Sequence, residues 1–375
     1  MKTASIFLSL LVLTAGVANG ETFDISGNDG TTITADVLNT FDEPWSMTLL
    51  PDGRMLVAEK GGDVFLVSAA GETLGLIAGV PTVEPRGQGG FGDIILHPDF
   101  AENQRVYMSY VERDGGLSGA VVESATLTLT DTGGALSNIQ RIWTQTPKGS
   151  TSRHYGHRLL FDTEGYLFIT SGDRGEREPA QDKASSLGKI IRLNDDGIVP
   201  DDNPFAEQGE VQSQIWSLGH RNPLGIALDA QGNIWAHEMG PRHGDELNKI
   251  VRGENYGWPL VSDGRHYSGR RIPDHDTTDL YRAPAISWVP SIAPAGLVIY
   301  RGLAFTGWQG DALIGGLAGR AIVRVSLNGE SGTEAARYEW NERVREIEER
   351  PDGLLYVLED GSDGRLLLLS PKTPN

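Results

Sequence analysis

Four segments of the chain carry residues that a plain β-hairpin does not need. Arg153-His154-Tyr155-Gly156-His157-Arg158 stands before an apolar alternating run, and Ser171-Gly172-Asp173-Arg174-Gly175 follows the hairpin that the run begins. A histidine at a strand entrance and a carboxylate at the exit of its partner meet at one end of a sheet, the geometry of an oriented general base. His157 shares that strand and reads equally as a ligand or a packing residue. Gly219-His220-Arg221-Asn222-Pro223 sets a permanent positive charge beside an amide, a pair able to stabilise an oxyanion or to cap a turn. Glu238-Met239-Gly240-Pro241-Arg242-His243-Gly244-Asp245-Glu246 is the richest in oxygen donors. Proline removes an N–H, and carbonyls with carboxylates suit a hard cation such as Ca²⁺, although the spacing is not that of an EF-hand. Gly87-Gln88-Gly89-Gly90-Phe91-Gly92-Asp93 offers an amide on a backbone that could approach a ligand closely.

These segments must be positioned by regular elements, and one unit recurs: an alternating apolar strand, a turn built on Pro, Asp or Gly, and a second apolar strand. Trp45 to Glu59, Arg158 to Ser171, Leu224 to His237 and Val344 to Glu359 show it clearly. Asp93 to Tyr110 and Leu297 to Ile314 are weaker copies. Period-two patterning with glycine-bearing turns predicts antiparallel hairpins. Six copies without an intervening linker predict an all-β, six-bladed β-propeller of four-stranded antiparallel sheets. Phe23 to Leu38 reads as an extra strand that completes the C-terminal blade and protects its edge.

Composition bounds the rest. Lys2 precedes an apolar run from Ile6 to Val17, followed by Ala18-Asn19-Gly20. A run of about a dozen apolar residues is too short to span a bilayer and predicts a cleaved signal peptide over residues 1–20. Residues 21–375 then form a single propeller domain, periplasmic or secreted. The chain has no cysteine, so no thiolate nucleophile, lipid-anchoring thiol or disulfide exists. A formal charge of −19 argues against nucleic acid or anionic lipid as a partner.

Read in order, these loops resemble the glucose/sorbosone dehydrogenases that use pyrroloquinoline quinone (PQQ), and within them the aldose sugar dehydrogenase branch. Pro200-Asp201-Asp202-Asn203-Pro204-Phe205, Ile215-Trp216-Ser217, Asn255-Tyr256-Gly257-Trp258-Pro259 and Arg343-Val344-Arg345 extend the likeness through nearly the whole mature chain. The resemblance implies oxidation of aldoses at C1 to lactones, with PQQ and Ca²⁺ as cofactors, an electron acceptor that the sequence does not name, and a monomer without a membrane anchor. It implies His154 as general base, with Asp173 orienting the site and Arg221 near the reactive quinone carbonyl. Gln88, Asn222, Asp245, Arg343 and Arg345 would face the cofactor. Gly240 and Pro241 would bind the catalytic calcium through backbone oxygens, and Glu246 and Tyr256 a second, structural calcium.

Three positions depart from the family pattern. Arg153 replaces the Asp or Asn that usually precedes the base, and Met239 replaces the His or Gln that usually precedes the glycine. Ala318 stands where relatives carry a cofactor-binding lysine, with Arg320 two residues on as a substitute. Two other activities suit such a scaffold: a calcium-dependent lactonase or related hydrolase, which would not need Arg343 and Arg345, and a non-catalytic propeller that binds a glycan or protein.

Overall fold

A computed structural model describes residues 20–372; the expected signal peptide lies outside the described residues apart from Gly20. The architecture is all-β and antiparallel, interrupted by short helical turns such as Phe100–Asn103 and Glu178–Ala180. Among the described residues no helix is long and apolar enough to cross a membrane.

Each of the six repeats forms the first two strands of a meander. The first strands are Pro44–Leu49, Phe91–Leu96, Gly156–Phe161, Pro223–Leu228, Pro294–Ile299 and Val344–Glu349. Each lies beside the next, and Val344–Glu349 returns to lie beside Pro44–Leu49, so the six close a ring around a central channel. The arrangement is a β-propeller. Apolar layers fill the space between successive sheets. Leu56, Val64, Ile94, Val106 and Met108 pack in one cluster, and Met47, Val57, Tyr356 and Leu366 close the ring in another. Burial of each such side chain contributes about 1.5–3 kcal/mol, and with no disulfide in the chain these layers are the main source of stability.

The sheets differ from six separate four-stranded units in two places. The first two meanders join into one eight-stranded sheet through a short parallel contact, Gly134 with Ile77 and Ala135 with Ala78. Glycine makes the approach possible: a Cβ on Gly75 would lie 2.1 Å from the Thr132 carbonyl oxygen. The C-terminal sheet has five strands, because the N-terminal segment is a hairpin and not one strand. Thr32–Phe41 pairs with Gly364–Pro371, from Ile33 opposite Pro371 to Phe41 opposite Gly364, and Thr22–Ser26 covers its outer edge. The expected closure of the C-terminal blade is thus present, with an additional strand.

The first strands all enter the ring from the same end, so the segments before them collect at one mouth of the channel. Below that mouth Arg158 spans the channel between Glu346 and Asp93, the latter at 3.2 Å, tying three first strands together by charge.

Candidate active site

His154 and Asp173 meet because of hairpin register. Gly156 pairs with Ser171, so the residues two positions outside that pair come out side by side. His154 Nδ1 lies 2.7 Å from Asp173 Oδ1. Asp173 also accepts from the Gly175 N–H at 2.7 Å and the Trp258 indole N–H at 2.8 Å. Against complete burial, the His154 contact, the Arg221 charge and the Gly175 N–H hold its carboxyl below the usual range, so it is ionised and Nδ1 carries the shared proton. His154 Nε2 therefore keeps its lone pair, and it makes no hydrogen bond to protein among the described residues. Burial pushes His154 below the ordinary imidazole range; Asp173 opposes that shift and the Arg221 charge adds to it. The backbone is held as firmly as the ring. His154 has φ of 52°, and its N–H donates to Gln88 Oε1 at 2.7 Å.

Arg221 enters from the neighbouring sheet. Its backbone N–H donates to Glu238, whose other oxygen lies 2.9 Å from His220 Nδ1. Its guanidinium donates to the Met239 carbonyl at 2.7 Å and lies 5.5 Å from the centre of the Trp258 ring. Only the backbone of Met239 is used in that contact, so the departure at this position leaves it intact.

Two cavities share Gln88. One, of about 280 Å³, is lined by His154, Asp173, Arg221, Pro241 and Trp258, with Arg153 and Tyr267 among its other walls. The other, of about 340 Å³, is lined by Asn222, Arg343, Arg345, Trp45, Lys60 and Met239 among others. The Asn222 side chain is buried, and neither of its amide atoms has a hydrogen-bond partner. An unpaired buried amide costs about 1–3 kcal/mol, a cost that a polar ligand in this cavity would remove. Arg343 and Arg345 both bind Asp360, at 2.6 and 2.5 Å, and Arg345 stacks 3.7 Å from the Trp45 ring centre. Against the cost of burial the two arginines hold Asp360 below the usual carboxylate range, so the trio carries one net positive charge.

The structure corrects several expectations. Arg320 does not line either cavity; with φ of 49° it turns outward and donates to the Asn341 carbonyl at 2.8 Å. Lys60, which sequence reasoning missed, brings an ammonium to the second cavity, paired with Glu43 at 2.9 Å. Asp245 faces backbone: its oxygens accept from Gly240 N–H at 2.9 Å and Ala293 N–H at 2.7 Å, so it shapes two loops. The carbonyl oxygens of Gly240 and Pro241 accept no hydrogen bond among the described residues, leaving two neutral donors for a cation.

Glu246 and Tyr256 are joined through His275. His275 Nε2 donates to the Tyr256 carbonyl at 3.2 Å, while Nδ1 faces Asp263 at 3.5 Å and Glu246 at 3.9 Å. Burial disfavours its charge, but Asp263 and Glu246 hold it up at about 9. Glu246 and Tyr256 also line a small cavity with Glu238, Gly240 and Pro241. The glycine-rich loop brings Gln88 to both cavities, while its later glycines serve protein contacts. A Cβ on Gly92 would lie 1.9 Å from the His157 ring. That ring is buried against Ser109 at 3.0 Å and pushed down to about 3 by burial, which makes His157 a packing residue.

The chain matches the pattern of the glucose/sorbosone dehydrogenases over residues 41–368. It is 39% identical over 349 residues to aldose sugar dehydrogenase YliI of Escherichia coli K12, covering 91% of this chain and 94% of that one. The apo crystal structure of the soluble E. coli aldose sugar dehydrogenase superposes with a TM-score of 0.86 at 38% identity, over 91% of this chain and all of that one. A PQQ-bound aldose sugar dehydrogenase from Streptomyces coelicolor superposes at 0.76 and 26% identity, over 91% and 98%. With a match through almost all of the ring and a fold shared over 91% of its length, this chain belongs to the glucose/sorbosone dehydrogenase family.

Proposed function

We propose that the protein oxidises aldose sugars at C1 to lactones, using PQQ and calcium, and passes the electrons to a separate acceptor. The observation that carries this reading is the His154–Asp173 pair, which leaves Nε2 of a neutral imidazole open in a cavity walled by Arg221. Nε2 takes the proton of the anomeric hydroxyl as that carbon gives up a hydride, and Asp173 stabilises the imidazolium that results. When bound, PQQ supplies the two-electron acceptor and calcium a Lewis acid. Arg343, Arg345 and Lys60 offer cationic donors to a carboxylated ligand in exchange for or beside Asp360 and Glu43, and the open amide of Asn222 offers it both donor and acceptor. Gly240 and Pro241 would hold calcium through two carbonyl oxygens, so the ion needs the cofactor to complete six to eight ligands. Arg221, fixed by Met239 and Glu238, would face charge that develops on the acceptor.

We further read residues 21–375 as one six-bladed propeller, counting the eight-stranded sheet as two blades. Residues 1–20 would be removed on export, leaving a monomer in the periplasm or outside the cell.

The test compares two variants reconstituted with PQQ and Ca²⁺. His154→Ala should keep PQQ affinity while turnover falls about 10²–10⁴-fold, the range for loss of a positioned base. Arg221→Ala should lose both. Equal loss of PQQ affinity in the two variants would remove His154 from the role of base. Sugar oxidation with NAD and no PQQ, or lactone hydrolysis by the apoprotein at a comparable rate, would refute the assignment as a whole.

A further inference from the structure

The walls of the cavity that holds His154 carry more positive charge than sugar oxidation requires. Arg153, Arg177 and Arg221 line it, against the single carboxylate of Asp173, whose oxygens are already engaged by His154, Gly175 and Trp258. Arg221 is fixed by Met239, but Arg153 and Arg177 are exposed, and neither has an ion-pair partner among the described residues. The neighbouring cavity differs in this respect, since its Arg343 and Arg345 are both paired with Asp360.

The two side chains are placed and not merely nearby. A Cβ on Gly175 would lie 2.7 Å from Arg153 Nε, so the guanidinium is packed on the backbone of the loop that carries Asp173. Arg153 is close enough to His154 for its charge to depress the imidazole. Arg177 stands two residues further along the same loop in the left-handed region, with φ of 67°. Across the cavity, His266 is held below the usual imidazole range by slight burial and by the charges of Arg177 and Arg270. Beside it Tyr267 is 70% exposed, an aromatic face of the kind on which a sugar ring can lie.

We propose that the sugar this site takes is anionic, with a carboxylate or phosphate remote from the anomeric carbon bound by Arg153 and Arg177. A neutral aldose needs no guanidinium beyond those at the cofactor, whereas a monoanion would otherwise be repelled by a protein of charge −19. The planar fork of arginine suits both anions, and placing Arg153 beside the base ties recognition of the charged end to orientation of the reacting end. This proposal rests on the dehydrogenase reading above, and its test separates the two.

Initial rates of the PQQ- and calcium-loaded protein would be measured with glucose, glucuronate and glucose 6-phosphate, at low and at 0.5 M salt. The same rates would be measured for Arg153→Gln, Arg177→Gln and the double variant. The expected result is a kcat/KM about tenfold or more above that for glucose with one anionic sugar, residing in KM and collapsing at high salt and in the double variant. A preference for glucuronate would assign a uronic acid, and a preference for the phosphate a phosphosugar. Equal kcat/KM for neutral and anionic sugars in the wild type would overturn the proposal. So would a loss of PQQ affinity in the double variant that accounts for its rate, or a defect seen only with an acidic protein as electron acceptor. Calorimetry with glucuronate on the loaded protein gives an arm independent of turnover. Salt-sensitive binding lost in the double variant, without oxidation of any sugar, would uphold the anion site and sink the dehydrogenase reading. Neither glucuronate nor glucose 6-phosphate binding would overturn the anion site.

Discussion

Asp173→Asn isolates what the carboxylate does for His154. Asp173 Oδ1 faces two donors, His154 Nδ1–H and the Gly175 N–H, while Oδ2 faces one, the Trp258 indole. An asparagine has a single acceptor oxygen. Turned toward His154 and Gly175, it sets its NH₂ against the indole and leaves one buried donor unpaired; turned the other way, it leaves two. The first orientation is the cheaper, at about 1–3 kcal/mol of stability. The ring therefore keeps its direction, but its partner changes from an anion to a neutral amide. Loss of a charge-assisted bond worth about 1.5–3 kcal/mol, at the moment when the ring becomes cationic, lowers turnover about 10- to 100-fold, at 1.36 kcal/mol per decade. The pH profile supplies a second readout. The base works unprotonated, so kcat/KM falls as pH drops through the His154 pKa, and in the wild type that limb lies on the acid side of the ordinary imidazole value. Removing the one neighbour that favours the charged ring moves the limb further toward acid. Sugar-dependent dye reduction by the reconstituted protein, followed from pH 4.5 to 8.5 in about half-unit steps, reads both effects. A plateau within threefold of wild type, or a limb that moves toward neutral pH, would refute the assignment of Nε2 as the base.

Other predictions follow from atoms whose partners are known. Asn222→Ala removes an amide that bonds nothing in the protein, so thermal melting of the apoprotein should be unchanged or slightly raised while PQQ titration shows about a tenfold weaker affinity. Asp245→Ala orphans the N–H groups of Gly240 and Ala293, and urea unfolding should show a loss of about 2–4 kcal/mol together with loss of calcium-dependent PQQ binding. Deleting residues through Phe41 strips the Gly364–Pro371 strand of its partner, and light scattering should then show association through the exposed edge.

How far the sequence could be read depends on how local each contact is. The six first-and-second-strand hairpins are legible because each is one continuous segment, with alternation on both sides of a turn such as Pro51-Asp52-Gly53. The His154–Asp173 pair is legible for the same reason, since both residues flank one hairpin and register alone brings them together. What could not be read arises between sheets. Trp258 reaches Asp173 across 85 residues, and Asp360 and Lys60 come to the second cavity from the last and first meanders. No spacing pattern encodes those meetings, because they depend on how the ring closes. The same ignorance misassigned the glycines: a close approach was visible at Gly92, but only the folded ring shows that the approaching group is His157.

The departures from the family pattern fall into two classes once the ring is closed. Met239 meets Arg221 through its backbone carbonyl, and where Ala318 lacks a cation Lys60 brings one to the second cavity from another sheet, paired with Glu43. Arg153 has no such compensation. It adds a charge to the wall of the His154 cavity that no carboxylate among the described residues neutralises, beside a second arginine in the same state. A substitution that the fold absorbs says little about chemistry, whereas one left unpaired in a cavity has kept its capacity to bind something from outside. On that argument the preference of this chain among sugars is to be sought at Arg153 and Arg177, and the ratio of rates for anionic and neutral sugars is the quantity that should move when they are changed.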